Sequence, residues 1–181
     1  MSFDQAIDIP ECLNADALTV SLMDEKARYS LRLKSTDVAA IKKMSDLKLP
    51  AKILGSSQVK DVTCAKLGPD EWIVIADYGQ KAKLDKVLAR VSKNFICSIT
   101  DISHRNVGFD ITGPEAAKLI NVGCPLDLSL DAFPVGKAVR TLFESASILI
   151  IRTSEQSFHL ECWRSFGPYL RDYFKRVVDT A

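Results

Sequence analysis

The chain of 181 residues holds two histidines, and each stands beside residues that could do chemistry with it. His104 lies in the stretch Ser103-His104-Arg105-Asn106-Val107-Gly108. A histidine next to a fixed positive charge could bind a carboxylate or phosphate, or act as an acid or base. Adjacent residues on a strand point to opposite faces, so His104 and Arg105 would not converge on one ligand unless a turn intervened. With Asp101 and Ser103 close by, the plainer expectation is a hydrogen-bonded structural histidine, one member of the pair anchoring the chain and the other facing outward. The second histidine lies in Ser157-Phe158-His159-Leu160-Glu161-Cys162. As a strand, this places His159 and Glu161 on the face opposite Phe158 and Leu160, which is the spacing of half a metal site. Two histidines are few for a metal centre, so a surface or interface pair is expected instead.

Other reactive patterns are weaker. Cys124 follows Gly123 and precedes Pro125, just after a helical segment. It is not at a helix N-terminus, so the dipole would not favour its thiolate. Gly123 suits a helix stop, and Pro125 blocks continuation. No GxGxxG or P-loop is present, and neither is a GxSxG elbow or an HExxH pair. The most unusual stretch is 161–174, where Trp163, Phe166, Tyr169, Tyr173 and Phe174 crowd around Arg164 and Arg171. Trp, Tyr and Arg are the residue types that anchor interfaces. A protein-facing surface is therefore expected here, with no catalytic residue assigned.

Composition bounds the classes. The net charge is +1, with 24 basic and 23 acidic residues, so charge offers no reason to expect nucleic acid or an anionic membrane as a partner. No apolar run reaches the ~18 residues of a membrane span. The opening residues carry acids and lack a basic region and apolar core, so no secretory signal is expected. Five scattered cysteines, never spaced CxxC, fit a reducing, cytoplasmic compartment better than a disulfide framework or zinc site.

The elements that would position these residues repeat. Residues 62–91 lie over 148–177 at an ungapped offset of 86, each reading strand, turn, strand, helix. Trp72 meets Phe158, Ile73 meets His159 and Leu84 meets Leu170. Upstream, 31–43 lies over 109–121 as a strand followed by an alanine-rich helix, with Pro114 at the expected first helical position. Leu49-Pro50 matches Phe133-Pro134. The predicted fold class is α+β, one domain over 1–181 with two similar strand-helix-strand-strand-strand-helix halves, at about 27–94 and 105–178, joined by an extra strand over 95–103. Tyr29, Leu31 and Leu33 alternate as in a half-buried strand, while 71–77 is nearly all apolar, as in a sheet covered on both sides. Leu84, Val87, Leu88 and Val91 form one helical stripe, and Tyr169, Leu170, Tyr173, Phe174, Val177 and Val178 another.

Residues 101–129, 133–143 and 158–170, taken together and in order, resemble the gamma subunits of heterotetrameric sarcosine oxidases. The resemblance covers about residues 95–175 well and residues 1–60 weakly. It implies a fold like the folate-binding domain of glycine-cleavage aminomethyltransferase, which has two similar α+β halves. It also implies a holoenzyme that oxidatively demethylates sarcosine to glycine, with hydrogen peroxide and methylene-tetrahydrofolate formed. The alpha, beta and delta subunits would carry FAD, FMN, NAD, zinc and tetrahydrofolate, and this chain no cofactor. On that expectation His104, Arg105, Trp163, Arg164 and Arg171 face partner subunits. Two other roles stay open: a folate or pterin binder using Asp101, Asp110 or Glu161, and a stand-alone scaffold.

Overall fold

The computed structural model describes residues 12–15, 17–45 and 47–180. The expectation about a secretory signal falls largely on residues 1–11, outside the described residues. In chain order the strands and helices are β1 (Cys12–Ala15), β2 (Leu18–Leu22), β3 (Lys26–Leu33), α1 (Val38–Met44), β4 (Ser56–Val59), β5 (Val62–Lys66), β6 (Glu71–Asp77), α2 (Lys81–Asn94), β7 (Cys97–Asp101), β8 (Asn106–Thr112), α3 (Ala116–Asn121), β9 (Ala138–Phe143), β10 (Ala146–Ser154), β11 (Ser157–Trp163) and α4 (Gly167–Thr180). Contacts divide the chain into two units. The first holds Glu25–Asn106 and Gly136–Arg140, and the second holds the rest.

The first unit is built on a five-stranded sheet of order β4-β5-β6-β3-β7, antiparallel throughout. The continuous apolar run of β6 explains its central place. Trp72, Val74 and Ala76 enter a core with Leu84, Leu88 and Val91 of α2, while Ile73 and Ile75 on the opposite face are buried as well. Those α2 positions recur every three or four residues, so one helical face is apolar. The other face carries lysines. On β3, Tyr29, Leu31 and Leu33 are buried as the alternation predicts, and Arg32 is exposed.

The second unit is built on a six-stranded sheet of order β1-β2-β8-β11-β10-β9. Its core centres on Phe174 of α4, packed edge-on against Phe109 at 5.5 Å and Phe143 at 5.3 Å. Gly113 sits at φ +123°, where an added Cβ would lie 2.2 Å from the Ala17 carbonyl oxygen. Only glycine fits that approach.

The order strand, helix, three strands, helix occurs twice, as β3-α1-β4-β5-β6-α2 and β8-α3-β9-β10-β11-α4. The offset of 86 carries β6 onto β11, the 3-10 turn at 78–80 onto that at 164–166, and α2 onto α4, residue for residue at both ends. The fold class is thus the one predicted. Three local expectations are corrected. β7 is shorter than 95–103, and Ser103–Arg105 form a 3-10 turn rather than strand. α3 begins at Ala116, two residues after Pro114. Gly123 follows α3 but does not adopt a left-handed φ; it is required because a Cβ there would meet the Phe143 ring at 2.7 Å.

Candidate functional site

The densest buried charge in the second unit is on β11. Both faces of this strand are covered, so His159 and Glu161 are buried along with Phe158 and Leu160. The expected surface pair is therefore an interior one. His159 Nε2 lies 2.8 Å from Glu161 Oε1, and Nδ1 lies 3.6 Å from Asp110 Oδ1 on the neighbouring strand β8. Burial by itself would lower the imidazole pKa, but the Asp110 and Glu161 carboxylates beside the ring outweigh it and lift it to about 9. At neutral pH the ring is an imidazolium with a carboxylate at each nitrogen. A protonated ring offers no lone pair to a metal, and its two carboxylate contacts tie β11 to β8. Among the described residues no group of three or more His, Cys, Asp or Glu is placed to hold a metal.

In the first unit the Ser103 turn closes on a polar cluster. Ser103 Oγ donates to Asp101 Oδ1 at 2.6 Å and accepts from the Arg28 amide at 3.0 Å, and Ser103 is fully buried. Lys81 Nζ pairs with Asp101 at 2.7 Å and donates to the Tyr29 hydroxyl at 2.8 Å, and that hydroxyl donates to Asp85. Burial pushes the Asp101 carboxyl up, but the Lys81 ammonium and the Ser103 hydroxyl and amide prevail and hold it near 2. The Lys81 ammonium is raised in turn, first by Asp101 and then by Tyr29. The anchor of this stretch is thus Ser103 and not His104, whose side chain is 73% exposed with Nδ1 3.5 Å from Glu25. Arg105 is exposed too, so neither member of the His-Arg pair is the inward anchor.

One device appears in both units and escaped sequence reasoning. Lys66, at the end of β5, is buried with its ammonium 4.6 Å from the Trp72 ring centroid and donates to the Ala51 carbonyl at 3.1 Å. Arg152, 86 positions later, is buried with its guanidinium 4.6 Å from the Phe158 ring centroid and donates to the Phe133 and Leu128 carbonyls at 2.7 and 2.9 Å. In each unit a buried cation stacks on an aromatic ring and clips the preceding loop. The available signal was a basic residue at the same repeat position in two mainly apolar strands, Lys66 and Arg152.

Of the other residues predicted to face a partner, Trp163 ends β11 with 51% of its surface exposed, and Arg164 beside it is exposed. Arg171 is half-buried on α4 and donates from Nε to Asp172 at 2.7 Å. Burial pushes the Cys64 thiol up to about 12 and raises that of Cys97 as well, and Cys64, Cys97, Cys124 and Cys162 form no disulfide. No helix among the described residues is long and apolar enough to cross a membrane.

Residues 56–175 match the GCVT N-terminal domain model, and the chain belongs to that family. Within it, the chain is similar to the sarcosine oxidase subunit gamma of Corynebacterium sp. (strain P-1), 31% identical over 103 residues, which is 57% of this chain and 50% of that one. The chain spans about half the length of such curated relatives. In fold it matches a chain of the heterotetrameric sarcosine oxidase of Corynebacterium sp. U-96, at TM-score 0.82 and 25% identity, covering 94% of this chain and 88% of that one. The aminomethyltransferase T of the Bartonella henselae glycine cleavage system shares the fold, at TM-score 0.68 and 14% identity over 87% of this chain and 45% of that one.

Proposed function

We propose that this chain is the gamma subunit of a heterotetrameric sarcosine oxidase, acting in assembly rather than in chemistry. The observation that supports this most is the extent of the match to that complex: nearly the whole of both chains superposes. On this proposal the partners are the alpha, beta and delta subunits, in the cytoplasm. They carry FAD, FMN, NAD, zinc and tetrahydrofolate, and the complex demethylates sarcosine to glycine. Exposed Trp163 and Arg164 supply an aromatic–arginine anchor of the kind that dominates interfaces. Co-expression with the larger subunits is expected to yield one stable complex, weakened by Trp163→Ala with Arg164→Ala. A pull-down that recovers no flavin-bearing subunit would refute the proposal.

Direct folate or pterin binding is the less favoured role. Each carboxylate considered for it has an internal cation: Asp101 pairs with Lys81, while Asp110 and Glu161 flank His159. Calorimetry with tetrahydrofolate on the purified chain is expected to show no one-to-one binding.

A further inference from the structure

In the first unit, α1, the loop after it, the β4–β5 turn and α2 enclose an open groove of about 500 Å³. Leu84 and Val87 of α2 line its apolar part, while among the described residues Lys42, Lys48, Lys60 and Lys83 contribute four positive charges against one lining carboxylate, Asp61. Among the described residues, none of the four ammonium groups is ion-paired. Lys60 is also held at φ 53°, a left-handed conformation that glycine or asparagine adopts at less cost.

The second unit shows what such a groove accepts. At the offset of 86, Tyr169 stands for Lys83 and Tyr173 for Val87. The turn between the corresponding strands carries Glu144, also left-handed at φ 49°, where the first unit has Lys60. Tyr173 packs edge-on against Phe143 at 5.0 Å and lies 6.3 Å from Tyr169, and its hydroxyl donates to Glu144 at 3.4 Å. The second unit thus places tyrosine rings and a carboxylate of its own at this location. The first unit has Lys83 and Val87 at the places of those rings, and Lys60 in the turn.

We infer that the lysine-lined groove is a docking site for an acidic segment of a partner protein, which lays an aromatic side chain over Leu84 and Val87 while its carboxylates meet the lysines. The subunit proposal is needed only to say that this partner is a larger subunit of the complex. The test uses the full chain and a fluorescein-labelled peptide, Asp-Glu-Tyr-Glu-Tyr-Glu-Asp, followed by anisotropy. Saturable one-to-one binding is expected, weakened several-fold between about 50 and about 250 mM salt. Lys42→Glu with Lys83→Glu is expected to weaken it ~10-fold or more, and so is replacing both peptide tyrosines by alanine. Lys175→Glu on α4 should leave it unchanged. Far-UV circular dichroism checks folding, and the milder Lys42→Gln with Lys83→Gln should give an intermediate loss. Absence of binding would overturn the inference, as would indifference to the lysine changes or to the tyrosines. Displacement of the peptide by terephthalate at equal concentration would assign the groove to a small molecule and overturn it too. Peptide binding without co-purification of larger subunits refutes the subunit proposal alone; co-purification without peptide binding refutes the groove alone.

Discussion

Where the first unit carries Ile73 and Ile75, the second carries His159 and Glu161 on the same face of the equivalent strand. Both pairs are buried, yet one is held by dispersion and the exclusion of water, the other by an imidazolium between two carboxylates. Taking charges out of water costs several kcal/mol per ion, and a close partner offsets that only while it is present. The ion cluster is therefore fragile to single changes in a way that the isoleucines are not. The same units agree elsewhere: Lys66 on Trp72 and Arg152 on Phe158 keep one device in two chemical versions. The two units share the scaffold and the loop clip, and differ on the strand's other face and in the outer groove.

The contrast breaks most sharply at His159. His159→Ile alone should destabilise the chain by about 3–5 kcal/mol in urea unfolding, because the buried Glu161 loses the imidazolium 2.8 Å away. Adding Glu161→Ile, which copies the first unit, should bring stability back to within about 1 kcal/mol of the parent. A single variant no worse than the double would end the claim that the pair is coupled. Next comes the shared clip. Arg152→Met removes the donors to two buried carbonyls and should cost about 2–4 kcal/mol, while Lys66→Met removes the donor to one carbonyl and to the exposed Ser35 hydroxyl, which still donates to Pro69, and should cost about 1–2 kcal/mol. Equal losses would show that the aromatic stack, not the loop bonds, dominates.

The pH dependence sharpens the comparison further. His159 has a folded pKa of about 9 against an ordinary 6.5, so its contribution is fully present below 6.5 and is lost as pH rises through 9. The parent should lose up to roughly 3 kcal/mol between pH 7 and 10 that the double isoleucine variant does not lose. Asp101 runs the other way. Its carboxyl, held near 2 against 3.8, stabilises above 3.8 and loses that contribution as pH falls through 2. Thermal unfolding across pH, parent against variants, separates the alkaline loss in one unit from the acid loss in the other. The smallest effect is at Trp163 and Arg164: alanine at both should change the isolated chain's stability by no more than about 0.5 kcal/mol, since both are exposed. A larger change would give these residues a structural duty in their own unit.

Much of the fold was legible in the order of residue types. Apolar residues every three or four positions marked the faces of α2 and α4, and the offset of 86 placed β11 and α4 before any coordinates. Leu49 and Phe133, matched across the repeat, are both buried. The candidate site was less legible. Alternation on β11 was read as one dry face and one wet face, but a strand between β8 and β10 can be covered on both. Gly123 looked like a helix stop and is a packing requirement set by Phe143, 20 positions away.

What the sequence determined by itself was periodicity and repetition, because helix and strand periods come from local backbone geometry and carry through any context. Only the tertiary structure decided that His159 is a buried imidazolium, that Ser103 and not His104 anchors its turn, and that Lys66 and Arg152 reach back to loop carbonyls. Each of those depends on which distant groups share a low-dielectric interior, and local patterns do not encode that distance.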